Sequence, residues 1–307
     1  MVEPGGGARL VSLRFQIGAR TLFSIPRRLE RVAVSLDEAV AGKVPKVPRL
    51  AGSQDGFLIT SLPEMLVGEV VGRGFFYAVR QRYTRYYATF EDLRYDQWLA
   101  GLSGNARSGL RRKQKKLAQH ADGMMIRSFR LPDEMAEFHA LARPVAIVTY
   151  QERLMGMGLP NGPEFVAEMR ALAAEDRARA WLMTLGGRAI AYLWCSAEGY
   201  ALRYDYVGHD PAYSELSPGT VLHAAAFEEL FAEQRFKRFD FTEGEGQHKR
   251  QFATDGVACV DLLLLRDTVA NRAAVGAVEA FDRAVDVAKR LAERPAFATL
   301  ARRGRRA

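Results

Sequence analysis

Alternating apolar and polar positions govern the first third of the chain. Across residues 9–36, Leu10, Leu13, Phe15, Ile17, Leu22, Phe23, Ile25, Val32, Val34 and Leu36 recur between polar neighbours. Gly18 and Pro26 punctuate the run, so the pattern predicts short antiparallel strands. Residues 42–56 hold Gly42, Pro45, Pro48, Gly52 and Gly56 and read as a loop or linker. Phe57–Thr60 predicts a short strand, Pro63 a brief helical stretch, and the Tyr- and Phe-rich run Phe75–Thr89 a strand or strand pair.

A helical period takes over at Leu93 and continues to His120, with Leu110 and Leu117 as a thin apolar seam. Gly123 closes that helix and Met124–Phe129 returns as a strand. Pro132 opens a helix with Asp133 and Glu134 in its first turn, and Pro144 is expected to end it. Asn161 and Pro163 start another, with Phe165, Val166, Met169, Leu172 and Ala173 at helical spacing.

The clearest architecture follows. Trp181–Leu185, the turn Gly186-Gly187 and Ala189–Cys195 predict a hairpin, because two glycines supply the positive φ of a tight turn. Ala197–Gly199 turns again into Tyr200–Val207, making a three-strand meander. Ser217 to about Gln234 is a helix with Leu222, Ala225, Ala226 and Leu230 inward. Phe239–Phe241 is then a strand, parallel to 200–207 if a right-handed crossover joins them. Residues 259–265 form one more apolar strand. Thr268–Arg294 is an amphipathic helix, which is more simply packed on the domain than laid on a membrane surface.

The net charge of +8 is concentrated in two places. Arg107, Arg111, Arg112, Lys113, Lys115 and Lys116 fall within residues 103–117 without an acid, and Arg302, Arg303, Arg305 and Arg306 crowd the tail. These patches together exceed the net charge, so the remainder of the protein is near neutral. They suit phosphates, acidic polymers or anionic lipid heads, or are simply solvated faces. Cys195 and Cys259 both fall in apolar, strand-like runs and lack metal-ligand spacing, which points to buried thiols, no metal site and a cytoplasmic setting. No apolar run is long enough for a membrane-spanning helix, and the Gly-rich start has no signal-peptide pattern.

Two stretches carry chemistry. In Ser217-Pro218-Gly219-Thr220, Ser217 can cap the helix and Pro218 wastes no hydrogen bond at its first position. Gly219 admits close approach, and the following N–H groups favour an anion. After the strand at Phe239–Phe241 comes a loop whose Gly244 and Gly246 permit close approach. Lys249 there offers a mobile cation, and Glu243 and Glu245 can take a proton. His248 sits in the same loop.

Tyr206-Val207-Gly208-His209-Asp210-Pro211-Ala212-Tyr213, Ser217-Pro218-Gly219, Arg238-Phe239-Asp240-Phe241 and His248-Lys249-Arg250-Gln251-Phe252, in this order and spacing, resemble the GNAT acyltransferase superfamily. The branch looks like the bacterial CelD/FemAB-type acyltransferases, and the basic helix Asn105–Leu117 resembles the one that opens their domain. The resemblance covers roughly residues 95–265. It implies an α/β (α+β) acyltransferase fold with a mixed, mainly antiparallel splayed sheet, preceded by a β-rich half-domain. The domains it implies are 1–94 (β-rich), 95–267 (acyltransferase) and 268–307 (amphipathic helix and basic tail).

Carried over by position, the resemblance implies that Ser217, Pro218, Gly219 and Thr220 hold the donor's phosphates. Lys249 would stabilise the tetrahedral intermediate, and Glu243, Asp205 and Tyr204 are the candidates for proton transfer. The donor implied is acyl-CoA or acetyl-CoA. The acceptor is an amine or hydroxyl on a small molecule or glycan precursor, within envelope or exopolysaccharide metabolism. Two rival readings stand beside it: an aminoacyl-tRNA-dependent transferase gripping tRNA with residues 107–116, and a non-catalytic scaffold that meets an anionic partner through its basic patches.

Overall fold

A computed structural model describes residues 9–17, 20–120, 123–149, 158–244 and 246–292. Along the chain run β1 (Arg9–Ile17), β2 (Arg20–Ala33), α1 (Leu36–Val40), β3 (Gly56–Pro63), α2 (Val67–Val70), β4 (Phe75–Thr89), α3 (Tyr95–Gly101), α4 (Gly104–Ala118), β5 (Met124–Phe129) and α5 (Met135–Val148). There follow α6 (Pro163–Ala174), β6 (Ala178–Leu185), β7 (Arg188–Glu198), β8 (Ala201–His209), α7 (Pro218–Glu233), β9 (Arg238–Asp240), α8 (Gln247–Phe252), β10 (Asp255–Arg266) and α9 (Val269–Ala292). The fold is mixed α/β with mainly antiparallel strand pairing, as expected, and the chain divides into two compact units.

One unit takes in the described residues up to Val34, Gly42–Arg82 and the described residues from Cys259 on. Here β1 pairs antiparallel with β2, β2 parallel with β3, and β3 antiparallel with β10. Leu13, Phe15, Leu29, Leu263 and Leu265 form the buried face, and α9 covers it with Ala274, Val275 and Val278. The 3-4 spacing of those α9 residues is the stripe a helix needs to lie on a sheet. Strand β2 runs straight through Pro26, whose partner is Ser12 on β1.

The other unit comprises Ser35–Ala41 and Tyr83–Ala258. Its strands lie in the order β4, β9, β8, β7, β6, β5. Both faces are covered, which explains why β6 and β7 are apolar almost throughout. Trp181, Met183, Leu193 and Cys195 point to the side of α3, α4 and α7, whereas Ala180, Leu182, Tyr192 and Trp194 point to the side of α5 and α6. The Gly186-Gly187 turn has φ of 57° and 78°, as the hairpin requires. Both cysteines are buried.

Four expectations are corrected. The stretch from Leu93 to His120 is two helices, because Ser103 stops the first and caps the second by accepting from the Ala106 N–H. Pro144 does not end α5, which continues to Val148 with Val145 and Ala146 buried. Interior proline costs about 3 kcal/mol, and the apolar contacts beyond it offset that. Ala225 is only half-buried in α7, while Val221, Leu222, Ala224, Ala226, Phe227 and Leu230 are enclosed. Lys249 lies not in a loop but in the helix α8.

Candidate active site

Strands β8 and β9 are parallel neighbours over only three residue pairs, Ala201–Arg238, Leu202–Phe239 and Arg203–Asp240. From Tyr204 onward β8 has left its neighbour. The register between β7 and β8 slips at the same place: Cys195 faces Tyr204 and Trp194 faces Tyr206, so Asp205 is an extra residue in the strand. Such a bulge bends a strand and re-aims its side chains. The far side of the split is anchored. Asp240 accepts from Arg85 Nε at 3.1 Å and from the Thr242 N–H at 2.8 Å, both groups of the ion pair being buried.

The gap holds a cleft of about 580 Å³, lined by Tyr204, Val207, Gly208 and His209 of β8, by Ser217, Gly219, Thr220 and His223 of α7, and by Thr149, Pro211, Ser214, His248 and Phe252. Gly208 is needed here because a Cβ would lie 2.6 Å from the Tyr192 ring and 2.7 Å from the Thr149 methyl. A turn of 3-10 helix, Pro211–Leu216, brings the chain from β8 to α7, and Asp210 starts it by accepting from the Ala212 N–H.

Ser217 enters α7 at φ 53°, ψ 48°, and its side chain makes no cap. This corrects the capping expectation: an N-cap side chain folds back only from extended backbone, and here the preceding 3-10 turn forces the left-handed region. The Ser217 carbonyl accepts from the Thr220 and Val221 N–H groups. Pro218 has no N–H, and helix geometry leaves the Gly219 N–H without an intrahelical acceptor. A Cβ on Gly219 would meet nothing nearer than His209 Nδ1 at 3.9 Å, so the backbone there is open to the cleft. From α4, Lys113 Nζ reaches Thr220 Oγ1 at 3.5 Å and Lys116 Nζ reaches the Glu215 carbonyl at 3.3 Å. The positive end of α7 thus has two ammonium groups beside it.

Of the eight positions singled out from sequence, Tyr204, Ser217, Gly219 and Thr220 come together on the cleft; Pro218, Asp205, Glu243 and Lys249 do not line it. Burial pushes the Tyr204 phenol well above its ordinary range, so it keeps its proton and is not a base at neutral pH. Its hydroxyl lies 3.3 Å from His248 Nε2. Burial also pushes the Asp205 carboxyl up, against the pull of the Arg203 guanidinium paired with it. Glu243 is exposed, and its carbonyl accepts from Lys249 Nζ at 2.6 Å. Lys249 is therefore a buried, anchored ammonium 5.8 Å from the Tyr204 ring centroid, not the mobile cation expected. Glu245 and the basic tail 301–307 lie outside the described residues.

Residues 104–250 match the family model of the acetyltransferase (GNAT) domain. The chain carries a GNAT-type acetyltransferase domain. It is accordingly an acyltransferase, and the split strands and the opening turn of α7 fall inside the matched residues. FemX has the same fold at 12% identity, with 85% of this chain and 88% of that one covered and a TM-score of 0.50. So has the C-terminal domain of a protein described as a lysylphosphatidylglycerol synthetase from Agrobacterium fabrum: 10% identity, 72% and 71% covered, TM-score 0.50. No curated protein matches the chain. Among the described residues, no group of three or more His, Cys, Asp or Glu stands together as a metal site, and no helix is long and apolar enough to cross a membrane.

Sequence reasoning missed His209 and His223, and Thr149 just past α5. His223 had a signal: it follows Gly219 and Thr220 by one helical turn, and so shares their face.

Proposed function

We propose that the GNAT-type domain moves an acyl group from acyl-CoA to an amine or hydroxyl acceptor bound in the cleft between β8 and α7. The observation that carries this reading is the early end of the β8–β9 ladder, which leaves a cleft at the amino-terminus of α7. The donor's phosphates would rest on the Gly219 N–H and the Ser217 and Thr220 hydroxyls, with Pro218 fixing the turn and Lys113 and Lys116 neutralising charge. The acyl arm would run along β8 toward Tyr204. Holding donor and acceptor side by side supplies much of the rate. Tyr204 then gives its proton to the departing thiolate, and His248 holds the phenol in place. Lys249 adds positive potential behind both, Asp205 supports the bulge through Arg203, and exposed Glu243 takes up the acceptor's proton through solvent. The acceptor we favour is a small molecule or glycan precursor of envelope or exopolysaccharide metabolism, by resemblance to the CelD/FemAB-type branch.

Calorimetric titration with CoA and acetyl-CoA tests the donor. Micromolar binding is expected, and Lys113→Glu should weaken it about tenfold through lost charge beside the phosphates. A wild-type protein indifferent to both compounds would refute the reading.

A second donor, aminoacyl-tRNA, is favoured by one feature: Arg111, Arg112, Lys115 and Lys116 are all exposed on α4. Phosphate contacts of that kind make affinity fall steeply with salt. Tight tRNA binding at low salt that is lost at high salt, without CoA binding, would replace acyl-CoA by that donor.

A further inference from the structure

His223 stands on the inner face of α7, one turn past Gly219 and Thr220, and lines the cleft. It is 4% exposed, and its Nε2 is buried without a hydrogen-bond partner. Around it stand the rings of Tyr204 at 5.6 Å between centroids, Phe239 at 5.4 Å, Phe252 at 5.5 Å and Phe241 at 5.8 Å, with His248 at 6.4 Å. An enclosed polar nitrogen without a partner costs about 1–3 kcal/mol. Apolar Leu or Phe would fill the same box without that cost, so the nitrogen requires an explanation.

We propose that His223, as a neutral imidazole, donates from Nε2–H to the carbonyl oxygen of the donor's acyl group and to the oxyanion that oxygen becomes. The proposal rests on the acyl-CoA reading above and assigns a residue to its chemical step. Burial pushes the ring's pKa down to about 3, with nearby His248 adding to the shift. Tyr204 on β8 and His248 on α8 are the other titratable groups facing it, and neither is an anion at neutral pH that would recharge the ring. A nitrogen that binds a second proton only near pH 3 is a feeble base. The N–H of the same neutral ring is a sound donor, and a water-poor aromatic box strengthens it.

In the step itself, the acceptor's nitrogen or oxygen forms its bond to the acyl carbon and the C–O π pair moves onto the carbonyl oxygen, beside Nε2–H. That pair then returns as the C–S bond breaks with its electrons on sulfur. The sulfur leaves as a thiol with the Tyr204 proton, and the acceptor's proton, first taken up by Glu243, returns through solvent to Tyr204. His223 keeps its proton throughout.

The test compares the dissociation constants of CoA and acetyl-CoA, since only the second has the carbonyl. Wild type should prefer acetyl-CoA about fivefold, the worth of one neutral hydrogen bond. In His223→Phe the preference should fall to about one while CoA affinity stays unchanged, which also shows the variant to be folded. His223→Gln, which can place an amide N–H near the Nε2 position, should retain most of the preference. In ring-labelled protein the protonated Nε2 resonance should shift on adding acetyl-CoA and not CoA, a change that a purely structural histidine would not give. A wild-type preference of one with CoA bound, or a preference intact in His223→Phe, overturns the assignment of His223 alone. Wild-type protein that binds neither compound removes the acyl-CoA reading instead, and this inference with it.

Discussion

Replacing His223 should change how the protein responds to acid. The ring is neutral when folded, with its pKa lowered to about 3 chiefly by burial, whereas an unfolded histidine titrates near 6.5. Between those values the unfolded chain binds the proton and the folded one does not, so stability falls as pH drops. The loss starts below pH 6.5 and grows by about 1.4 kcal/mol per pH unit until the folded pKa is reached. From pH 7 to pH 5 it amounts to about 2 kcal/mol from this side chain alone. His223→Phe and His223→Gln have no proton to bind there. Their carboxylates and remaining histidines are those of wild type and cancel in the comparison. Urea unfolding of wild type and both variants at pH 7, 6 and 5 measures the difference. The stability gap between each variant and wild type should move in the variant's favour by about 2 kcal/mol over that range. A gap that stays constant from pH 7 to pH 5 would show that His223 takes up its proton as readily in the folded protein as in the unfolded chain, and the argument from a water-poor box would go with it.

Gly208→Ala should destabilise the protein by about 1–3 kcal/mol, because its Cβ would sit 2.6 Å from the Tyr192 ring, and thermal unfolding reads this directly. The same methyl stands at the cleft, so CoA affinity should drop as well. Ser217→Gly removes a Cβ from a residue at φ 53° and should raise stability by up to about 1 kcal/mol; a fall in the thermal midpoint would contradict the strain argument. Asp240→Asn neutralises the carboxylate paired with buried Arg85 and should cost about 3–5 kcal/mol in urea unfolding.

Much of the fold is legible in the sequence because local chemistry and tertiary structure agree there. Gly186-Gly187 between two apolar runs admits little besides a tight hairpin, and Pro218 marks the first turn of α7 correctly. Errors arise where two local signals compete. Ser103 caps a helix inside a stretch whose composition is helical throughout, so the break it makes is masked by its neighbours. Pro144 is a breaker by propensity, but α5 packs Phe138, Ala142, Val145 and Ala146 into one core, and that contact continues the helix past it. The short helix α1 has a full capping box at Ser35 and Glu38, yet alternation across residues 9–36 reads straight over it.

At the site, backbone features are legible and the side-chain roles are not. A helix start after a strand is written in Ser217-Pro218-Gly219, and the structure puts it on the cleft. Burial, however, depends on what arrives from elsewhere in the chain. Lys249 looks like a free loop cation until Gly246 starts a helix around it and the Glu243 carbonyl, six residues back, takes its ammonium. His223 shows the reverse. In an apolar helix one histidine reads as a tolerated core residue, because a histidine buried beside a partner and one buried without a partner have the same sequence. Phe239 and Phe241 after the crossover and Phe252 on α8 together strip His223 of water, while the split at Tyr204 leaves an opening beside it. The desolvation of His223 and the cleft beside it are set by four separate elements, and only the folded chain brings those four together.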